Sequence, residues 1–396
     1  MHHLRYLSVS LFTGAGGLDY GLEEAQFDTA VAIEMDSNCC KTLRHNRPDW
    51  HVVESPISEV PSKQILSLAG IKRRELDLLH GGPPCQPFSK SGYWKTGDAK
   101  RLKDPRSDTL KEYMRVLEDT LPKVFLLENV YGLAYEGKDE GLKFLKRRID
   151  AINRKHGTRY SFSWEVLNAA DFGVPQVRER VFIVGSRDGK LFEFPKPRFC
   201  DSEKPLPGLK PYRTAWDALH SITDLSEKAI PSRVKGRWGF LLPSIPEGRN
   251  YLYHSEKGEG KPIFKWRSRY WSFLLKLAKD RPSWTILASP GPTIGPFHWN
   301  NRPLTMREMA RLQTFPDDVE VLGDRRQVQK QLGNAVPSAI GELLGKEIRR
   351  QFFGEKVRSA SLTLIPEKAR LTSQAKKPTT LSISETRKAR LLEGKS

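Results

Sequence analysis

"YLSVSLFTGAGG", residues 6–17, places a strand-type apolar run directly before Gly14, Gly16 and Gly17. Glycines at the end of a buried strand allow a tight turn and a close backbone approach to a ligand. Working outward, "TAVAIEM" (29–35) reads as a second strand that ends at Glu34, about twenty residues past the glycines, where a carboxylate can accept hydrogen bonds from two ribose hydroxyls. "ELDLLH" (75–80) and "KVFLLENV" (123–130) are further buried strands, and "LKEYMRVLED" and "GLKFLKRRIDAI" carry apolar residues at helical spacing. "SFSWEVLNA" and "RVFIVGS" close the series. Strands alternating with helices predict an α/β domain, Rossmann-like, with a mostly parallel twisted sheet and helices on both faces. In such a sheet ligands collect beyond the carboxyl ends of the strands. No GK[ST] follows the glycines, so a nucleoside fits the loop better than a pyrophosphate.

The chain has 396 residues, four cysteines and a formal net charge of +19. Its length suits one large domain with an insertion, or two domains. Cys39, Cys40, Cys85 and Cys200 show neither a CxxC pair nor a disulfide framework, so no metal site is indicated and a reducing cytoplasm is expected. Neither a signal peptide nor a membrane span is apparent. Excess Lys and Arg point to a polyanionic partner, nucleic acid first.

The α/β pattern fails near Arg187. Residues 187–299 hold 20 Lys and Arg against 11 Asp and Glu, with six of the nine tryptophans. Basic side chains interleaved with aromatics suit phosphate contacts and base stacking. Regular structure returns at "RPLTMREMARLQTFPD", opened by Thr305 with Glu308 three residues on, and at the helix "SAIGELLGKEIRRQFF". The expected organisation is a first catalytic and cofactor-binding part (1–186), a smaller irregular recognition domain (187–299), a second catalytic part (300–353), and a basic disordered tail (354–396) with ten basic and four acidic residues.

"HGGPPCQPFSKSG" (80–92) fixes Cys85 between Pro84 and Pro87, which hold its sulfur in one direction. The strand ending in "LLENV" delivers Glu128 to the same rim, and "PQVRER" adds Arg178 and Arg180, suited to a carboxylate and a carbonyl oxygen. A thiolate, a carboxylic acid, arginines and a nucleoside pocket on a basic protein suggest covalent chemistry on a base. A thiolate adding to cytosine C6, helped by an acid at N3, makes C5 able to attack a methyl sulfonium.

These residues and their order resemble the DNA (cytosine-5) methyltransferases, through "SLFTGAGGLDYGL", "IEMD", "GGPPCQPFS", "ENV", "VPQVRERVF", "RPLTMREMARLQTFPD" and "QLGNAVP". The likeness covers residues 7–186 and roughly 300–352. It implies S-adenosyl-L-methionine as cofactor, a flipped cytosine in double-stranded DNA as substrate, and target recognition by 187–299. By the resemblance Cys85 is the nucleophile, Glu128 engages N3 and the exocyclic amine, Arg180 holds O2, and Arg178 orients Glu128. Phe12, Gly14, Ala15, Gly16, Gly17 and Leu18 form the methionine side of the cofactor pocket, with Glu34 on the ribose and Met35 against the adenine. Pro84, Leu110, Asn334 and Val336 are further wall positions. Gln86, Ser89, Lys90 and Arg101 are expected to contact DNA, the last three from a basic lid, residues 88–106, that also carries Lys95, Lys100 and Lys103.

Three departures stand out. Pro56 replaces the aspartate that the family places on the adenine amine, leaving Glu54 or Ser55 as substitutes; "DPRSDTL" (104–110) is one residue long; and Met35 stands where an aromatic is common. The reading predicts a cytoplasmic, nucleoid-associated monomer, the methylase of a restriction-modification system whose endonuclease acts separately. The alternative is a tRNA cytosine-5 methyltransferase. A catalytically silent DNA-binding protein would not need Cys85, Glu128 and both arginines, and a nicotinamide oxidoreductase leaves the PCQ and ENV motifs unexplained.

Overall fold

The structure is a computed structural model that describes residues 6–84, 108–129, 140–222, 234–266, 270–357 and 361–394. Its strands are β1 (Tyr6–Leu11), β2 (Phe27–Glu34), β3 (His51–Glu54), β4 (Leu78–Gly81), β5 (Val124–Asn129), β6 (Ser161–Asn168) and β7 (Glu179–Ser186). They form one seven-stranded sheet in the order β3-β2-β1-β4-β5-β7-β6. The first five strands pair in parallel, and β7 runs antiparallel to both β5 and β6. The strand order reverses at β1, which has β2 on one side and β4 on the other, so the ligand crevice opens beyond the ends of β1 and β4. The glycine loop leaves β1 there, and the Gly82-Pro83-Pro84 turn leaves β4 beside it.

The central strands are buried on both faces, and successive residues serve opposite cores. Leu79 and Leu127 point to a cluster with Tyr113, Leu117 and Ile149 from helices α4 (Asp108–Thr120) and α5 (Glu140–His156). Leu78 and Leu126 point the other way, toward Leu22 of α1 (Gly17–Glu24) and Ile340, Leu344 and Ile348 of a late helix, Ser338–Phe352. On the first face α3 (Ser62–Leu68) contributes Ile65; α2 (Ser37–Asn46) follows β2.

The late helix and α1 meet nearly backbone to backbone. A Cβ on Gly21 would lie 1.9 Å from the Ser338 carbonyl oxygen, which cannot give way as a side chain can. Gly21→Ala is therefore expected to force the helices apart and destabilise the fold by about 1–3 kcal/mol or more, read as a lowered urea midpoint. An unchanged midpoint would show that the junction relaxes freely. This contact brings the end of the chain back to the N-terminal loop.

Between residues 187 and 299 regular structure is sparse. Two-residue strands β8 (Phe199–Cys200) and β9 (Lys210–Pro211) pair, and α6 (Ala215–Leu219) starts with a reciprocal cap between Thr214 and Asp217. A core of Trp238, Leu241, Tyr251, Phe264 and Leu274 holds the rest. Trp238 and Trp299 are buried, whereas Trp266, Trp271 and Trp284 are exposed. Helices α7 (Met306–Leu312), α8 (Arg325–Asn334) and α9 (Ser338–Phe352) follow.

The tail departs from its expected disorder. Residues 361–394 form a strap that ends in a helix, α10 (Ile383–Glu393). The backbone amides of Thr363 and Leu364 donate to the buried Glu342 carboxylate of α9 at 2.8–3.1 Å. Ala369 N donates to Asp217 of α6 at 2.8 Å, and Lys279 Nζ reaches Gln374 O at 3.0 Å. Leu381 and Ala389 then bury themselves in the aromatic core around Trp238. Most of these anchors are backbone amides and carbonyls and a few apolar side chains, so composition and periodicity do not reveal them. The one local signal is Ser382 with Glu385 three residues on, a reciprocal cap at the start of α10.

Candidate active site

The glycine loop is shaped by its own backbone. Phe12 and Gly14 have φ of 56° and 58°, and Gly16, at 83°, caps α1 from the left-handed region. Glu34 at the end of β2 holds this loop: its carboxylate accepts Gly14 N, Met35 N and Asp36 N, each at 2.8 Å. A carboxylate has about four acceptor positions, so three are taken by main chain and little is left for a ribose. A bidentate ribose contact by Glu34 requires some of these amides to exchange. Met35, 69% exposed, presents its side chain beyond the loop. An added Cβ at Gly14 meets nothing within 4 Å, so the loop borders open space.

Of the wall positions, Asn334 is exposed at the end of α8, whereas Val336 and Leu110 are buried. Pro84 is exposed, and its carbonyl accepts Thr109 Oγ1 at 3.3 Å. Glu54 is engaged by Arg44 at 2.7 Å, while Ser55 N donates to Glu34 O at 3.1 Å. Of the two substitutes for the adenine contact, Ser55 is the one joined to the end of β2.

β4 and β5 leave the sheet side by side. Asn129 Nδ2 donates to Pro83 O at 3.2 Å, tying the two strand exits. The Glu128 carboxyl lies against Gly82, where a Cβ would be 2.7 Å from Oε2, only three residues before Cys85. Burial pushes the Glu128 carboxyl above the usual carboxylate range, outweighing the opposing pull of Arg180 and Arg178. A carboxyl so placed holds a proton more readily than one in water. Cys85 itself lies outside the described residues, as do Gln86, Ser89, Lys90 and Arg101 and the rest of the basic lid.

The two arginines do not share the work as expected. Arg180, in β7, pairs with Glu128 through Nε at 3.1 Å. Arg178 precedes the strand and turns into the interior, where Nη2 donates to Gly333 O at 2.9 Å and Nη1 to Ile286 O at 3.4 Å. The contact to Glu128 is thus made by Arg180, and Arg178 ties the strand to the start of the C-terminal return. The physical reason is that β7 begins at Glu179, so strand alternation does not extend to Arg178. Gln176, unassigned from sequence, is a further tie: buried, it donates to Leu312 O and accepts Ile286 N, at 3.2 and 3.1 Å. Among the described residues no helix is long and apolar enough to cross a membrane, and no group of three His, Cys, Asp or Glu is placed to hold a metal.

The family model for the C-5 cytosine-specific DNA methylase matches residues 6–350. The chain belongs to this family. It is a DNA cytosine-5 methyltransferase. Over 369 residues the methylase is 38% identical to the type II methyltransferase M.SacI of Streptomyces achromogenes, covering 87% of this chain and 92% of that one. M1.HphI of Haemophilus parahaemolyticus, also a type II methyltransferase, is 31% identical, with 86% of each chain covered. The S. pombe Dnmt2 methyltransferase structure superposes with a TM-score of 0.57 at 18% identity, covering 88% of this methylase and 99% of that chain, a likeness of fold. The methylase thus has the α/β fold of S-adenosylmethionine-dependent methyltransferases, with the arrangement of Glu128, Arg180 and Gly82 at its carboxyl rim.

Proposed function

We propose that the methylase transfers a methyl group from S-adenosyl-L-methionine to C5 of a flipped cytosine in double-stranded DNA, at a sequence chosen by residues 187–299, through a covalent bond between Cys85 and C6. The observation that carries this reading is the Glu128 carboxyl, largely but not fully buried, paired with Arg180 and pressed against Gly82, three residues before Cys85.

S-adenosylmethionine, when bound, supplies an electrophilic methyl group. Phe12, the Gly14–Leu18 backbone, Glu34 and Met35 would hold it, with Pro84, Leu110, Asn334 and Val336 as further walls. The open space at Gly14 and the exposed Met35 fit a nucleoside cofactor there. Cys85 adds as thiolate to C6 while Glu128 gives its proton to N3, leaving C5 electron-rich. Arg180 keeps Glu128 aimed and would bind O2 of the base. After C5 is methylated, its proton passes to solvent, the Cys85 sulfur departs as thiolate and N3 returns its proton to Glu128, which restores the ring.

The recognition region supports a polyanion. Trp266 is 47% exposed beneath Lys257 Nζ, 4.8 Å from its ring centroid, and Tyr270 and Trp271 follow at about half exposure. Cations and aromatic faces together suit phosphate and base contacts. We further propose a cytoplasmic monomer bound to the nucleoid, working beside a restriction endonuclease as a separate protein.

The test is bisulfite sequencing of host DNA after expression, paired with labelled methyl transfer to duplex DNA and to tRNA. Methylated cytosines within one recurring sequence are expected. Transfer to tRNA with none to DNA would overturn this reading in favour of an RNA methylase.

A further inference from the structure

Two ionisable side chains that the mechanism does not use lie buried between the two loops of the site. His80 in β4 registers with Ser10 of β1 and Leu126 of β5, two residues before Gly82. Asp19 sits in the first turn of α1, directly behind the glycine loop. His80 Nε2 is 3.6 Å from Asp19 Oδ1, and both side chains are fully buried. Neither His80 nitrogen nor Asp19 Oδ1 has a hydrogen-bond partner among the described residues. Stability does not account for the pair, since two apolar side chains in the same space are commonly as stable or more so. Its position does: it joins the loop from β1 to the strand that leads to Cys85.

We propose that Asp19 and His80 sense the charge of the molecule held in the glycine loop, Asp19 giving up a proton to solvent when that molecule is a sulfonium and regaining it when it is the neutral thioether. The inference rests on the cofactor proposed above. Burial holds the Asp19 carboxyl up, to about 7, against the Ser10 hydroxyl, and holds the imidazole down, to about 3. A proton exchanged near neutral pH therefore belongs to Asp19, with His80 neutral throughout. In the charged state Nε2–H donates to the carboxylate. In the neutral state Asp19 donates to Nε2, and the ring proton is on Nδ1. Passage between them takes one proton in at Nδ1 while the Nε2 proton moves to Asp19. A cation over the loop favours the carboxylate through a poorly screened interior, as does the helix N-terminus.

The surrounding charges are few. Glu23 and Tyr20 share α1, with Arg47, just past the end of α2, paired to Glu23 at 2.8 Å. Glu342 on α9 is paired with Lys346 at 2.6 Å, and Glu128 on β5 with Arg180 at 3.1 Å.

The test is calorimetric titration of the whole protein near pH 7 with S-adenosylmethionine and with S-adenosylhomocysteine, each in two buffers of different ionisation enthalpy. Both ligands carry the same amino-acid and nucleoside groups, so the difference in protons released isolates the sulfonium charge. The sulfonium is expected to release more, by roughly half a proton at most, since a half-ionised group has only that fraction left to lose. The affinity ratio of sulfonium over thioether should rise with pH through about 7, by about tenfold if Asp19 moves one unit. Both effects should vanish in Asp19→Asn, which keeps a hydrogen-bonding group of the same shape; its unfolding midpoint confirms that it is folded. Should Asp19→Asn not fold, His80→Asn, which removes the relay and leaves the acid, is expected to shift the pH of the change. Equal proton release by both ligands in the wild-type protein, or a difference that survives Asp19→Asn, would overturn the sensor alone. No binding of either ligand would overturn the cofactor assignment, and the sensor with it.

Discussion

Glu128→Gln is expected to slow methyl transfer by roughly 10²- to 10⁴-fold, the usual contribution of a positioned acid, with little change in cofactor affinity. The amide keeps the volume beside Gly82 and a partner for Arg180, whose Nη1 also holds Glu179 O at 2.7 Å, but it has no acidic proton to give N3. Cys85→Ala is the companion. DNA carrying 5-fluorocytosine at the target should trap the wild-type protein as a denaturation-resistant adduct, because fluorine at C5 blocks the proton loss that elimination needs. The alanine variant should form no adduct and transfer no methyl group, yet still bind target DNA through phosphate and groove contacts. Glu128→Gln should form the adduct slowly. An adduct mapped to Cys39, Cys40 or Cys200 would defeat the mechanism; Cys39 and Cys40 are buried thiols that desolvation pushes up, Cys40 to about 12, far from a ready thiolate.

The second large effect concerns the strap. Removing residues 361–396 is expected to destabilise the methylase by about 2–5 kcal/mol. The deletion takes donors away from two buried carboxylates, at about 1–3 kcal/mol each, and uncovers the apolar seat of Leu381 and Ala389. Glu342 would keep Lys346, and Asp217 would keep the Thr214 amide, which sets the upper end of that range. The measurement is the urea midpoint and slope against the full chain. A truncated protein of unchanged midpoint would show that the strap adds nothing to the fold. The composition of the tail by itself predicts that outcome, a shortened protein that loses only nonspecific DNA affinity at low salt. The two expectations separate in one experiment.

What was legible in the sequence is what short-range patterns encode. The central strands β1, β2, β4 and β5 appear as apolar runs, and burial leaves such runs little freedom, whereas the exposed edge strand β3 gives no such run. That places Gly14, Glu34, Gly82 and Glu128 at one rim, because the ends of parallel strands share a side of the sheet. The cap at Thr305 with Glu308 is equally local, and the structure has it in both directions. Motif order could then be read for chemistry without knowing any angle.

The partners of these groups were decided elsewhere. Arg178 and Arg180 are two residues apart and alike in type, yet one meets Glu128 and the other meets carbonyls 108 and 155 residues away. Glu34, expected on a ribose, has its carboxylate accept Gly14 N of the glycine loop and the Met35 and Asp36 amides that follow it. Asp19 and His80 show no pattern at all until α1 is laid behind β4. The strap is ordered by Glu342 and Asp217, residues that lie in other elements. The sequence alone determined the sheet, the carboxyl rim and the residue types on it, since these follow from periodicities of two and 3.6 along neighbouring residues. Only the tertiary structure decided who pairs with whom there, because a buried polar group takes whichever complementary atom packing brings within about 3 Å, and that atom is as often a distant backbone carbonyl or amide as a neighbouring side chain.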